Sequence, residues 1–425
     1  MSDTAETPVP AKPFGFSAWV IVAALVLGLG AGMIAGGFDP QVRDGTVAVV
    51  GTVGGLWLDA LKMVVIPLVV ALLIKGIVGS AEIASEGRVA GLAVAWFLGL
   101  YAVSALVGAI AMPLLLALFP LSPGAAAAMK AGFAAVDPRQ VESSVASFSD
   151  FVRSFIPSNP FAAASSGEML QIVVFTLFFA VALTFLEPGR RKPVVDVFDS
   201  IGAAMLVVIR WILALAPLGV FALAFVAGAA SGTALFVGVA HFVLLYIAVA
   251  LVIILLAYAI ATAAARFPLA AFSRAMAPTQ AIAFSTQSST GSLPAMLLSA
   301  RKLGLSASVV DTVLPLAAAL FRATGPAMNI AVVIFIAEVT GMHLGLAAFA
   351  AGVAIATFAS ISAPGLPGQV SYFTSIAPIA MAMGVPIAPL GMLIAVEPVP
   401  DMFRTLGNVT MDVAVTGAVD RRVRR

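Results

Sequence analysis

Apolar residues in this chain do not alternate with polar ones but collect in long runs, near 18–36, 46–79, 89–119, 168–186, 198–230 and 234–265. A helix needs about 20 apolar residues to cross the hydrocarbon layer of a bilayer, so these runs predict six membrane-spanning helices. After Arg266 the pattern changes. Apolar stretches are interrupted by Ser, Thr, Gly and Pro in Ala283–Pro294 (AFSTQSSTGSLP) and in Ser360–Gly368 (SISAPGLPG), and the arms on either side are too short to cross alone. Each segment predicts a helix, a polar tip and a returning helix. Irregular backbone at membrane depth persists only where protein or a watery cavity satisfies its N–H and C=O groups, so the tips point to a binding site. Two such segments in corresponding places are what a transporter built from inverted repeats presents.

The last apolar segment, between Pro386 and Val419, carries Glu397, Asp401, Arg404, Thr405, Asn408 and Asp412. On a helix all six fall within roughly a third of the circumference. Pro398 and Pro400 leave Glu397 the least firmly placed. An ionised group near the bilayer centre costs about 2.5–3.5 kcal/mol on insertion scales, so four in one span need partners, a cavity and a use. Their chemistry suggests the roles. Arg404, planar and permanently charged, suits bidentate capture of a carboxylate. Asp401, one turn away, suits an ammonium, and Asn408 with Asp412 offers oxygen donors to a small cation. Asp59, Lys62, Lys75, Arg210 and Glu338 read as interfacial anchors rather than site residues.

Composition narrows the class. Of 425 residues, 62% are hydrophobic and 10% charged, too apolar a chain for a water-soluble core. With no cysteine and only two histidines, His241 and His343, there is no disulfide framework, thiol nucleophile or histidine metal cluster. The leader before Ala18 carries acidic residues and a single Lys12, which does not read as a cleaved signal peptide. Basic residues fall in alternate connections: Lys75 with Arg88, Arg190 to Lys192, Arg266 with Arg274, Arg301 with Lys302, and Arg421 to Arg425. By the positive-inside rule these connections and both termini are cytoplasmic, in a multi-pass cell-membrane protein whose polar insertion from about Pro120 lies outside. Dispersed in this way, the basic residues form no nucleic-acid surface.

Several segments resemble the dicarboxylate/amino acid:cation symporter family, the glutamate transporter homologues. They are Asn159–Phe161 (NPF), Ala216–Ala222 (APLGVFA), Ser288–Pro294 (SSTGSLP), Leu314–Leu316 (LPL), Pro364–Gly368 (PGLPG) and Asp401–Asp412 (DMFRTLGNVTMD). The last is similar to the family's D-x-x-R-T-x-x-N-x-x-x-D pattern at every position. The resemblance implies an all-α integral membrane fold, eight transmembrane helices plus two re-entrant helical hairpins, working as an inverted-repeat elevator-type homotrimer. It implies a tail at 1–17, scaffold helices in 18–88 and 168–232, a transport-domain helix in 89–119, an extracellular loop at 120–167, a transport-domain core at 233–419 and a basic tail at 420–425. Carried over by position, Arg404 grips a side-chain carboxylate, Asp401 an amino group, and Thr405 and Asn408 the solute's backbone end. Ser289 and Thr290 contact its main carboxylate, and the tip at Gly365 to Gly368 is an extracellular gate.

This chain also departs from the family's pattern. Where relatives carry N-M-D-G-T, an ungapped match gives Phe321, Arg322, Ala323, Thr324 and Gly325, removing side chains that would ligate sodium and weakening an Asn408–Asp412 cation site. Gln287 also stands where an arginine is often found. One expectation is that Arg322 pairs with Asp412 or Asp401 and partly replaces a cation, with Glu397 or Asp401 as candidate proton carriers. The other seats Arg322 beside the solute as a second carboxylate clamp. No bound cofactor is expected; Na+ or H+ is the candidate coupling ion. The sequence thus favours a symporter for aspartate or glutamate, with a C4-dicarboxylate:cation symporter as the alternative. A serine-nucleophile enzyme lacks a base near the SSTG tip, and a channel sits less well with acids and a base interleaved on one face.

Overall fold

The computed structural model describes residues 18–85, 87–136, 156–362 and 368–424, all-helical and without a strand among them. The segment 363–367, which includes Gly365, lies outside the described residues, as does the N-terminal tail. The first predicted runs form α1 (Ala18–Gly36), α2 (Pro40–Ser85) and α3 (Arg88–Leu118). The stretch read as a polar insertion contains two helices, α4 (Pro123–Val136) and the short α5 (Pro160–Ser166). The sequence GAAAAMKAGFAAV explains α4: alanine has the highest helix propensity, and Ala125, Ala128, Met129 and Phe133 give it a buried face. Asn159 caps α5 by accepting from Phe161 and Ala162 N–H at 2.9 and 3.2 Å.

The fourth run forms α6 (Met169–Thr184), but the fifth is split at Leu215 into α7 (Pro188–Ala214) and α8 (Ala216–Ser231). Pro217 causes the split, since it has no N–H to donate and disfavours helical geometry in the residue before it. The sixth run is α9 (Ala234–Ala263). Helices α1, α2, α6, α7 and α8 pack on one another, with α1 lying along α8 and α2 contacting the other three.

Beyond α9 the expected interruptions appear. Helices α10 (Leu269–Thr286) and α11 (Leu293–Lys302) flank the first polar tip, and α14 (Leu346–Ser362) and α15 (Gly368–Ala382) flank the second. The arms of each pair pack together. Ser299 joins the first pair, lying 2.8 Å from Thr279 Oγ1 and donating to the Ala275 carbonyl at 2.7 Å. Between the pairs, α12 (Ala307–Leu320) and α13 (Gly325–Thr340) form one apolar run broken at residues 321–324. The chain ends with α16 (Ala388–Leu393) and α17 (Pro398–Val423). Among the described residues, five runs suffice by length and composition to cross a membrane: Pro40–Ala84, Arg88–Leu118, Pro188–Ala214, Ala234–Ala263 and Ala307–Thr340.

Candidate functional site

Helix α17 is enclosed by α3, α9, α10, α11, α12 and α15, so the face carrying its polar residues has little access to solvent or lipid. Glu397, at its N-cap, keeps helical backbone angles despite the neighbouring prolines, and the Asp401 N–H donates to the Glu397 carbonyl at 2.9 Å. The face predicted for Glu397 is therefore retained. Arg404 is 8% exposed, and its guanidinium is surrounded. Nη2 lies 2.9 Å from Glu397 Oε1 and donates to the Tyr246 hydroxyl, Nη1 donates to Asn329 Oδ1 at 3.2 Å, and Nε sits 3.6 Å from Asp401 Oδ1. The Tyr246 ring lies under the guanidinium carbon at 5.9 Å. One permanent cation thus faces two carboxylates.

Thr405 is buried and donates to the Asp401 carbonyl at 2.9 Å. Asn408 Oδ1 accepts from the Thr324 N–H at 3.0 Å and lies 2.6 Å from the Thr324 hydroxyl. These contacts fasten α17 to the break between α12 and α13. Close approach there requires Gly407, since a Cβ on it would stand 2.4 Å from Thr324 Cγ2.

The break is held from its other side by α3. The Tyr101 hydroxyl donates to the Leu320 carbonyl and accepts from the Arg322 N–H at 3.1 Å. The Ser104 hydroxyl donates to the Ala323 carbonyl and accepts from the Ala327 N–H at 3.2 Å. Phe321 stacks on Phe97 with ring centroids 4.4 Å apart. Arg322 is half-buried, within Coulombic reach of Asp401, Arg404 and Asp412. The expected direct pairing does not occur: among the described residues Arg322 makes no ion pair, and its Nε has no partner. The backbone of the break is anchored through α3 instead.

Asp412 is 0% exposed, and among the described residues neither of its carboxylate oxygens has a hydrogen-bond partner. Such a group demands a counter-charge or a proton. A hard cation is held by several converging oxygens. Here the Asn408 amide oxygen, the Leu320 carbonyl and the Ala323 carbonyl each accept a hydrogen bond, while Phe321 and Ala323 contribute no side-chain oxygen. Among the described residues no three acids or histidines cluster. Of the side chains at the break, Phe321 and Ala323 thus bring no oxygen toward Asp412.

At the first tip Ser289 is half-buried and Thr290 exposed. Thr290 Oγ1 lies 3.2 Å from Ser288 Oγ, which also accepts from the Gly291 N–H at 3.0 Å. Neither Ser289 nor Thr290 bonds to α17 among the described residues. The hairpin reaches α17 through Phe284 against Phe403, with centroids 5.4 Å apart, and through Gln280, which donates to Tyr258 and Thr410 hydroxyls at 3.1 and 3.0 Å. At the second tip Gly368 opens α15, while Gly365 lies outside the described residues.

Tyr246, Tyr372, Tyr101, Asn329 and Thr324 were not expected from sequence. The available signal was scarcity: the chain has four tyrosines, and Tyr101, Tyr246 and Tyr372 all stand beside the buried charges.

The sequence pattern of the sodium:dicarboxylate symporter family matches residues 17–422. The chain is 27% identical over 419 residues to a C4-dicarboxylate transport protein of Azorhizobium caulinodans, covering 97% of this chain and 90% of that one. It is 29% identical over 401 residues to the proton/glutamate-aspartate symporter of Escherichia coli, covering 92% and 89%. A C4-dicarboxylate transport protein of Pseudomonas syringae is 27% identical over 411 residues, covering 95% and 87%. With the buried Arg404 centre and a family match spanning nearly its whole length, this chain belongs to the sodium:dicarboxylate symporter family, a family of secondary transporters rather than enzymes.

Proposed function

We propose that the protein is a proton-coupled symporter for an acidic amino acid, aspartate or glutamate, with Arg404 as its carboxylate receptor and Asp401 as its ammonium partner. The observation that carries this reading is the enclosed guanidinium of Arg404, held between Glu397 and Asp401 at 2.9 and 3.6 Å. Thr405, Asn408 and the tips at Ser289, Thr290, Gly365 and Gly368 complete the solute's surroundings. The polar tips and the enclosed α17 support the eight-helix, two-hairpin reading. In it, α1, α2, α6, α7 and α8 form a fixed scaffold, α3 and the helices from α9 onward move as an elevator, three copies assemble, and both termini are cytoplasmic. Proton coupling is favoured because Phe321 and Ala323 offer no cation ligand and Arg322 already supplies a fixed positive charge within reach of Asp412.

A second reading is a C4-dicarboxylate symporter, with Arg322 as the clamp for the second carboxylate; its half-burial beside the site supports this. Uptake into proteoliposomes under separate proton and sodium gradients tests the coupling, and succinate competition against aspartate separates the substrates. Accumulation driven by a proton gradient alone is expected. Strict dependence on several sodium ions contradicts the proposal.

A further inference from the structure

The tightest contact of Arg404 to an acid is not with Asp401, a turn away, but with Glu397 at the head of the helix. Glu397 is 1% exposed, and neither of its oxygens has a hydrogen bond of good geometry among the described residues. Its counter-ion is Arg404, with the Tyr246 hydroxyl alongside. Beside it, the Tyr372 hydroxyl from α15 is buried and has no partner, within Coulombic reach of Glu397, Arg404 and Tyr246. The groups facing Glu397 are Asp401 and Arg404 on its own helix, Tyr246 from α9 and Tyr372 from α15, with Arg322 at the break within reach of Asp401 and Arg404.

Resting on the reading of Arg404 as the solute's receptor, we infer that Glu397 is an internal stand-in for the solute carboxylate. It occupies Arg404 in the empty carrier, gives way when solute binds, and accepts one proton as it is displaced. The physical reason is the imbalance that displacement creates. A buried carboxylate stripped of its only counter-ion is strongly destabilised unless it is neutralised. The balance closes simply: one proton leaves the solvent and ends on a Glu397 carboxyl oxygen, while the Arg404–Glu397 ion pair is exchanged for an Arg404–solute pair. The protonated Glu397 then donates its O–H to the unpartnered Tyr372 oxygen, which gives the waiting hydroxyl a use. Solute binding and proton uptake become one event at one guanidinium.

The test is a proton count. Purified protein is titrated with aspartate, or with succinate, in lightly buffered solution containing a pH indicator, for wild type and Glu397→Gln. Wild type is expected to take up at least one proton per solute bound, and its affinity to fall about tenfold per pH unit as pH rises. Glu397→Gln is expected to bind more tightly, because its internal competitor is neutral, and to take up one proton fewer. An equal count in the two proteins overturns the inference, as does zero uptake by wild type. Should the variant not fold, infrared difference spectra of wild type decide: solute must bring in a protonated buried carboxylic carbonyl, and its absence overturns the inference. Absence of binding by either acid is a different outcome, since it refutes the acidic-solute reading itself.

Discussion

Two populations of charged residues contrast in this molecule. Around α2 and α7 the charges are paired at the surface: Lys75 with Asp199, whose side chains are 57% and 50% exposed, Lys192 with Asp196 at 2.7 Å, and Arg191 with Glu82 at 2.9 Å. On α17 the same residue types are enclosed and incompletely matched, with Arg404 shared between two acids and Asp412 without a partner. The exposed pairs are screened by solvent and contribute little to stability. The enclosed group carries an energetic penalty, for which the proposed recognition of a charged solute gives a reason.

The contrast breaks most sharply at Arg404. Arg404→Ala leaves Glu397 and Asp401 buried without their counter-ion and is expected to lower stability by about 3–5 kcal/mol in chemical denaturation. Adding Glu397→Gln should restore part of the loss. Next come Arg322→Met and Asp412→Asn, which leave complementary charges uncompensated. In a double-mutant cycle on solute binding they should couple by about 0.5–3 kcal/mol, although no ion pair joins them. Gly407→Ala puts a methyl group against Thr324 and should cost about 1–3 kcal/mol, less in a Thr324→Ser background where the opposing methyl is gone. At the other extreme, Lys75→Ala should change stability by less than about 1 kcal/mol and leave solute recognition as it was.

The two populations also differ in how far the sequence revealed them. The polar stripe of α17 was legible because helical periodicity places its members on one face, and the interruptions between α10 and α11 and between α14 and α15 because Ser, Gly and Pro break the apolar runs. The partners of that stripe were not. Asn329 and Tyr246 lie 75 and 158 positions from Arg404, and a single tyrosine in an apolar helix looks like ordinary packing. Helix α4 was hidden within a stretch read as a loop. At the break, Phe321 was legible as a lost cation ligand, whereas its stacking on Phe97 and the Tyr101 and Ser104 bonds that hold the backbone depend on a helix some 220 positions earlier. The expected Arg322 ion pair failed for the same reason, since sequence distance carries no information about which neighbour anchors an unwound segment.

Thermal stabilisation by ligand tests the proposed recognition of an acidic solute by Arg404. Aspartate and at least one of glutamate or succinate should raise the melting temperature of the purified protein in a concentration-dependent way. Alanine and serine should not, and Arg404→Lys should lose the response because an ammonium does not reproduce the bidentate fork. Equal stabilisation by neutral amino acids, or an undiminished response in Arg404→Lys, would contradict the account.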